Sequence, residues 1–174
     1  LFPYTTLFRS DALAVGVPDP ADSGLLPEIR ERIELIGDCV PQGVYIAVPD
    51  LQGPFNLAHM ILGDEAFLSP LERPDDFLRL MDNITTFWLA ARDNLRAWIG
   101  PDRSVSHHDN GDRIAECSVN MIGRQMYERF VLPSDLRIAA ASGPLHVHPC
   151  SGPHVFHATL EHLPNVAMAE AGHI

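Results

Sequence analysis

Strand-like and helix-like segments alternate along this chain, and that alternation restricts the fold more than any other feature of the sequence. GVYIAVPD (43–50) is a short β-branched and aromatic run bounded by Gly and Pro, the pattern of a buried strand. RSVSHHDNGD (103–112) reads as a short strand running into a loop, GPLHVHPCSG (143–152) as a strand and a turn, and NVAMAEAG (165–172) as another strand. Helical patterns fill the intervals. LLPEIRERIELIGDCV (25–40) repeats Leu26, Ile29, Ile33 and Ile36 near helical spacing, with Pro27 near its start and Gly37 near its end. GPFNLAHMILG (53–63) reads as a short helix. Residues 73–100 form a long one, with Pro74 and two acids in its first turn. Phe77, Leu80, Met81, Ile84, Phe87, Trp88, Ala91, Leu95 and Trp98 mark its apolar face. Residues 120–142 read as a helix broken or kinked at Pro133, and 153–163 as a short helix.

Strand, helix and strand in succession build right-handed βαβ units on a parallel sheet. Four such units make half of a (β/α)8 barrel, so the expected class is α/β, a partial TIM barrel of about four βα units. A doubly wound open sheet is the alternative. No G-x-G-x-x-G follows any of these strands, so dinucleotide binding has no support.

The opening stretch, LFPYTTLFRS, fits none of this. It is too short for a membrane span and lacks the basic start and cleavage site of a signal peptide. Residues 1–10 match, codon by codon, one reading frame of a short-read sequencing adapter, CTC TTT CCC TAC ACG ACG CTC TTC CGA TCT. They are read as an artefact, and residues 11–174 as a fragment of a single domain. A net charge of −11, with only 12 basic residues, excludes nucleic acid and an anionic membrane surface as expected partners. Cys39, Cys117 and Cys150 are odd in number and widely spaced, which argues against a disulfide framework and for a reducing, cytoplasmic setting; the expected partner is a small-molecule substrate. Cys39 and Cys117 read as structural residues.

In a barrel, chemistry gathers at the carboxyl ends of the strands. The first strand ends in Asp50, the second in His107, His108, Asp109 and Asn110, the third in His146, His148 and Cys150, and the fourth in Glu170. His146 and His148 are two apart, so on an extended strand they face one side. Imidazole and thiolate are zinc ligands, which makes His146, His148 and Cys150 candidate metal ligands; the alternative is a buried, hydrogen-bonded His146 and a small core Cys150. Asp109 precedes Asn-Gly and is either a substrate-holding carboxylate or general base, or a turn cap. Asp50 and Glu170 are further acid candidates. His154, His157 and His162 read as surface residues on a helix.

Four stretches in order resemble the uroporphyrinogen decarboxylase superfamily. GPFNLAHMILG resembles its GAPFTLA…G segment, RPDDFLRLMDNIT its P…LL…T helix, MYERFVLP its helix of the same pattern, and HPCSG the H-x-C-G strand end of its methyltransferase branch. Order and spacing agree across residues 44–172. The resemblance implies a (β/α)8 barrel and one of two chemistries. Methyltransferases of this group move a methyl group from a corrinoid, carried on a partner protein, to a thiol activated by zinc, the ligands being the H-x-C pair and a later cysteine. Carried onto this chain, that pair is His148 and Cys150, with Ser151 departing from the pattern before Gly152 and the later cysteine falling beyond residue 174. The cofactor-free decarboxylases instead use an aspartate to gather pyrrole N–H groups and arginines to hold carboxylates. The tyrosine they carry after GAPFTLA is replaced around His59 and Met60, which counts against a porphyrinogen substrate. The expectation is a zinc-dependent methyltransferase, with decarboxylation second and an inactive or purely binding barrel fragment third.

Overall fold

A computed structural model describes residues 12–41, 43–105, 111–148 and 153–170 of the chain. Helix α1 (Leu26–Cys39) carries a proline in its first turn, as the sequence suggests, and sets Ile33 against Leu95 and Ile99. Strand β1 (Ile46–Ala47) is followed by α2 (Pro54–Leu62), α3 (Glu65–Glu72) and the long α4 (Pro74–Ile99). Asp75 and Asp76 lie in the first turn of α4, where negative charge suits the helix dipole. The helix stops at Gly100, whose φ of 88° is costly for a residue with a Cβ.

Then come β2 (Ser104–Val105), β3 (Asp112–Ala115) and a 3-10 turn over Cys117–Met121. Instead of one helix broken at Pro133, the next stretch is α5 (Arg124–Met126), a π-helical turn (Tyr127–Val131) and α6 (Leu132–Ala141). Pro133 sits in the first turn of α6, where its missing N–H is tolerated, and the wider π turn precedes it where the ring would crowd an α-helical carbonyl. Strand β4 (Leu145–His148), helix α7 (Pro153–His162) and strand β5 (Val166–Ala169) complete the order.

Among the described residues every strand pairing is parallel. β1 pairs with β2, and β3, β4 and β5 form a sheet in that order. A single bridge from Gln52 to Ala115 joins the strand line after β1 to the end of β3. The class is therefore mixed α/β with small parallel sheets; among the described residues the strands do not close into a barrel.

The strand end expected at residues 107–110, Asp109 included, lies outside the described residues, and a further strand, β3, ends at Ala115 with Glu116 after it. Asp, Arg and Glu within five residues hide this strand, because buried parallel strands usually read as continuous apolar runs. Asp112 is buried here only because Arg92 and Arg96 donate to its two oxygens at 2.8 Å each, and Ser142 adds a bond of 2.6 Å.

Helices pack on one side of the β3–β5 sheet. Ile114, Leu145 and Val147 point into a core shared with α2, α4 and the π turn. Phe77 meets Phe55 and Phe130 edge to face, with ring centroids 6.3 and 5.9 Å apart. Phe55 and Phe77 are both fully buried, each adding roughly 1.5–3 kcal/mol of burial. The α4 stripe is buried from Phe77 to Ile99 as its spacing predicts, except that Phe87 and Trp98 are only half-buried.

Candidate functional site

The register of the sheet sorts its side chains onto two faces. Arg113 stands beside His146, and Ala115 beside His148. Paired residues in parallel strands share a face, and alternate residues along a strand return to it. Arg113, His146 and His148 therefore lie on the face opposite Ile114 and Val147. Glu170 joins them just past β5, held in line by its N–H, which donates to the carbonyl of Val147 at 2.9 Å.

This polar face is a chain of paired imidazole, carboxylate and guanidinium groups. Nε2 of His146 lies 3.1 Å from Oε1 of Glu170, and Nδ1 of His148 pairs with Oε2 of the same carboxylate. Nη2 of Arg113 approaches Oε2 of Glu170 at 3.5 Å, while its Nη1 donates to Asp50. Burial of Glu170 works to raise its pKa, but His146, His148 and Arg113 together outweigh it, and the carboxyl is held below its usual range. His146 is 3 % exposed and Glu170 40 %, so the cluster grades from dry to wet across a few ångströms. A small cleft, with room for about one water, opens beside Asp50 and Arg113, lined also by Leu51, Trp88, Arg96 and Asp112.

Four of the six residues singled out from the sequence are thus brought together: Asp50, Glu170, His146 and His148. Asp109 and Cys150 lie outside the described residues. Arg113, which the sequence reading missed, ties Asp50 to Glu170. The signal for it was its place in D-R-I-A, one residue from each of two buried neighbours, visible only once that stretch is recognised as a strand.

No family model and no curated protein matches this chain. No described helix is long and apolar enough to cross a membrane.

A second set of acids lies beneath the same strand ends. Glu116, 2 % exposed, follows β3 and accepts the backbone N–H groups of Phe55 and Asn56 on its two oxygens, at 3.0 and 3.1 Å. Burial, then the nearby Asp135, push its pKa well up, against the pull of those two bonds. Asp135, also 2 % exposed, accepts the Tyr127 hydroxyl at 2.9 Å on Oδ2, and among the described residues its Oδ1 has no hydrogen-bond partner. Burial pushes Asp135 up to about 7, less the effect of that Tyr127 bond. Burial, followed by Asp135, likewise drives the Tyr127 hydroxyl far up, so it stays a donor. In sequence both acids look like ordinary surface residues of a turn and a helix.

The donor chemistry of the polar face suits a borderline cation, since imidazole and carboxylate both bind zinc. Among the described residues, however, no group of three His, Cys, Asp or Glu side chains is set out to hold a metal ion. A zinc site here calls on a further donor, and Cys150 follows His148 by two residues in the sequence.

Proposed function

We propose that this chain belongs to a (β/α)8-barrel enzyme of the uroporphyrinogen decarboxylase superfamily that transfers a methyl group from a corrinoid, borne on a partner protein, to a thiol. The observation that carries the reading is the convergence of His146 and His148 from β4 at the carboxyl ends of parallel strands, on a polar face opposite the core. The order of the four superfamily-like stretches supports it.

In this reading zinc is held by His148 and Cys150, with His146 as the remaining imidazole, and it supplies a thiol held as thiolate at neutral pH. The chain's own residues do the rest. Glu170 faces both ring nitrogens and fixes the orientation of the imidazoles, as carboxylates do for ligating histidines. Arg113 offsets the charge of Glu170, and Asp50 holds the guanidinium in place. The burial of His146 keeps water from one side of the cluster. The test is thiol-dependent loss of the methyl group from methylcobalamin, followed by its absorption spectrum. The expected result is turnover in the wild type that disappears in Cys150→Ala; equal rates with and without the variant sink the reading.

Arg113 favours a second reading, cofactor-free decarboxylation. A guanidinium already paired with two carboxylates is suited to take a substrate carboxylate in place of one of them. The C–C bond to CO2 would break, its electron pair would stay on carbon, and a proton from the imidazolium of His148 would fill that position. Release of CO2 that survives Cys150→Ala but not Arg113→Ala would select this reading over methyl transfer.

A further inference from the structure

The carboxyl group of Glu116 caps a helix that begins some sixty residues earlier in the chain. Helix N-termini are usually capped by a short polar side chain immediately before the helix, but α2 starts on Gly53 with no such bond. Its first free N–H groups, on Phe55 and Asn56, are taken instead by the two oxygens of Glu116. A Cβ on Gly53 would fall on the Glu116 carboxyl group, although the backbone there (φ −65°, ψ 161°) is open to any residue. Glycine at 53 thus makes room for this carboxyl group.

The joint extends toward the polar face. Asn56, 7 % exposed, donates through Nδ2 to the side-chain oxygen of Gln52 and to the carbonyl of Ala115, both at 2.8 Å, and accepts the Ser118 N–H at 2.7 Å. The N–H of Gly53 donates to the carbonyl of Ala115 at 2.9 Å. Glu116 also donates its own N–H to the carbonyl of His148 at 3.0 Å. Three chain segments are therefore fastened at one point: residues 52–56, the end of β3 and the end of β4. Asp50 and its partner Arg113 lie within a few residues of it on two of them.

We propose that Glu116 is a positioning residue, which by gripping the amides of Phe55 and Asn56 fixes the strand end carrying Asp50 and so sets the pairing of Asp50 with Arg113. The inference rests on the polar face being the reacting surface. An apolar residue at 116 would orphan two buried N–H groups, and an amide could accept from only one of them.

The test reads the Arg113 guanidinium Nε–Hε resonance and amide exchange by NMR, in the wild type, Glu116→Ala and Glu116→Gln, with Asp50→Asn as the marker of an uncharged partner. In Glu116→Ala the amides of Phe55 and Asn56 should exchange about tenfold faster, the worth of one hydrogen bond, while Ile114 and Val147 remain protected. The Arg113 resonance should move to its Asp50→Asn position, with Glu116→Gln between. Should Glu116→Ala not fold, Gly53→Ala, which pushes the carboxyl group off the amides, should give the same displacement. An Arg113 resonance that stays at its wild-type position while the two amides loosen overturns the proposal and leaves Glu116 a helix cap. No zinc or turnover is measured, so failure of the methyl-transfer reading would leave this result standing or falling by itself.

Discussion

Nε2 of His146 lies 3.1 Å from Oε1 of Glu170, so a dry imidazole on β4 meets a half-wet carboxylate just past β5. The pair spans two neighbouring parallel strands. It draws in His148 and Arg113 and gives the polar face its chemistry.

Glu170 titrates below an ordinary glutamate because His146, His148 and Arg113 outweigh its burial. Its folded pKa is depressed relative to the unfolded chain. The stability it contributes is therefore present above the unfolded value of about 4.3 and is lost as pH falls through the folded one. His148→Ala should move the Glu170 titration upward, read from the side-chain carboxyl carbon by NMR. An unmoved titration would mean that the two side chains do not pair in solution.

Asp135 gives the opposite sign. Burial raises it to about 7 in the folded state, above the 3.8 of a free aspartate. The folded protein binds this proton more tightly than the unfolded chain does. The contribution is complete below the unfolded value and is lost as pH rises through about 7. The urea midpoint should fall between pH 5 and pH 7, and Asp135→Asn should flatten that slope. A wild-type midpoint constant across this range would contradict it.

Arg113→Ala leaves Asp50 and Glu170 without their shared counter-charge. With a side chain 21 % exposed, the expected cost is about 1–3 kcal/mol in urea denaturation. Arg113→Lys should recover only part of it, because one ammonium lacks the fork that reaches both carboxylates. Full recovery by Lys would argue that a point charge suffices.

Arg92→Ala should cost about 1.5–3 kcal/mol, since Asp112, with a side chain only 6 % exposed, loses one of its two guanidinium partners and keeps Arg96 and Ser142. Asp112→Asn in the same background should restore part of that loss. A double-mutant cycle checks both, and additive effects would show that the two groups do not interact.

The parts of this fold that are legible in the sequence share one property: their polar and apolar residues follow a single period. α4 announces itself through the stripe from Phe77 to Trp88 and ends where Gly100 must. β4 is legible through L-H-V-H, whose histidines fall on one face. β3 is not, because Asp112, Arg113 and Glu116 are each buried or half-buried by a partner distant in sequence: Arg92, Asp50 and the N-terminus of α2. The same cause hid Arg113 and Glu116 from the site. α3 escaped because Pro70 sits inside a helix of only 8 residues. The strand end assigned to Asp109 lies outside the described residues, and the sequence reading places no strand at β3.

The central proposal is that His148 and Cys150 hold zinc with His146 beside them, and elemental analysis of the purified protein beside His148→Ala and Cys150→Ala tests it most directly. The account predicts about one zinc per chain, as in a site of three protein ligands, and its loss in both variants. No zinc in the wild type, or zinc retained in both variants, would contradict it and leave the imidazoles to Glu170 alone.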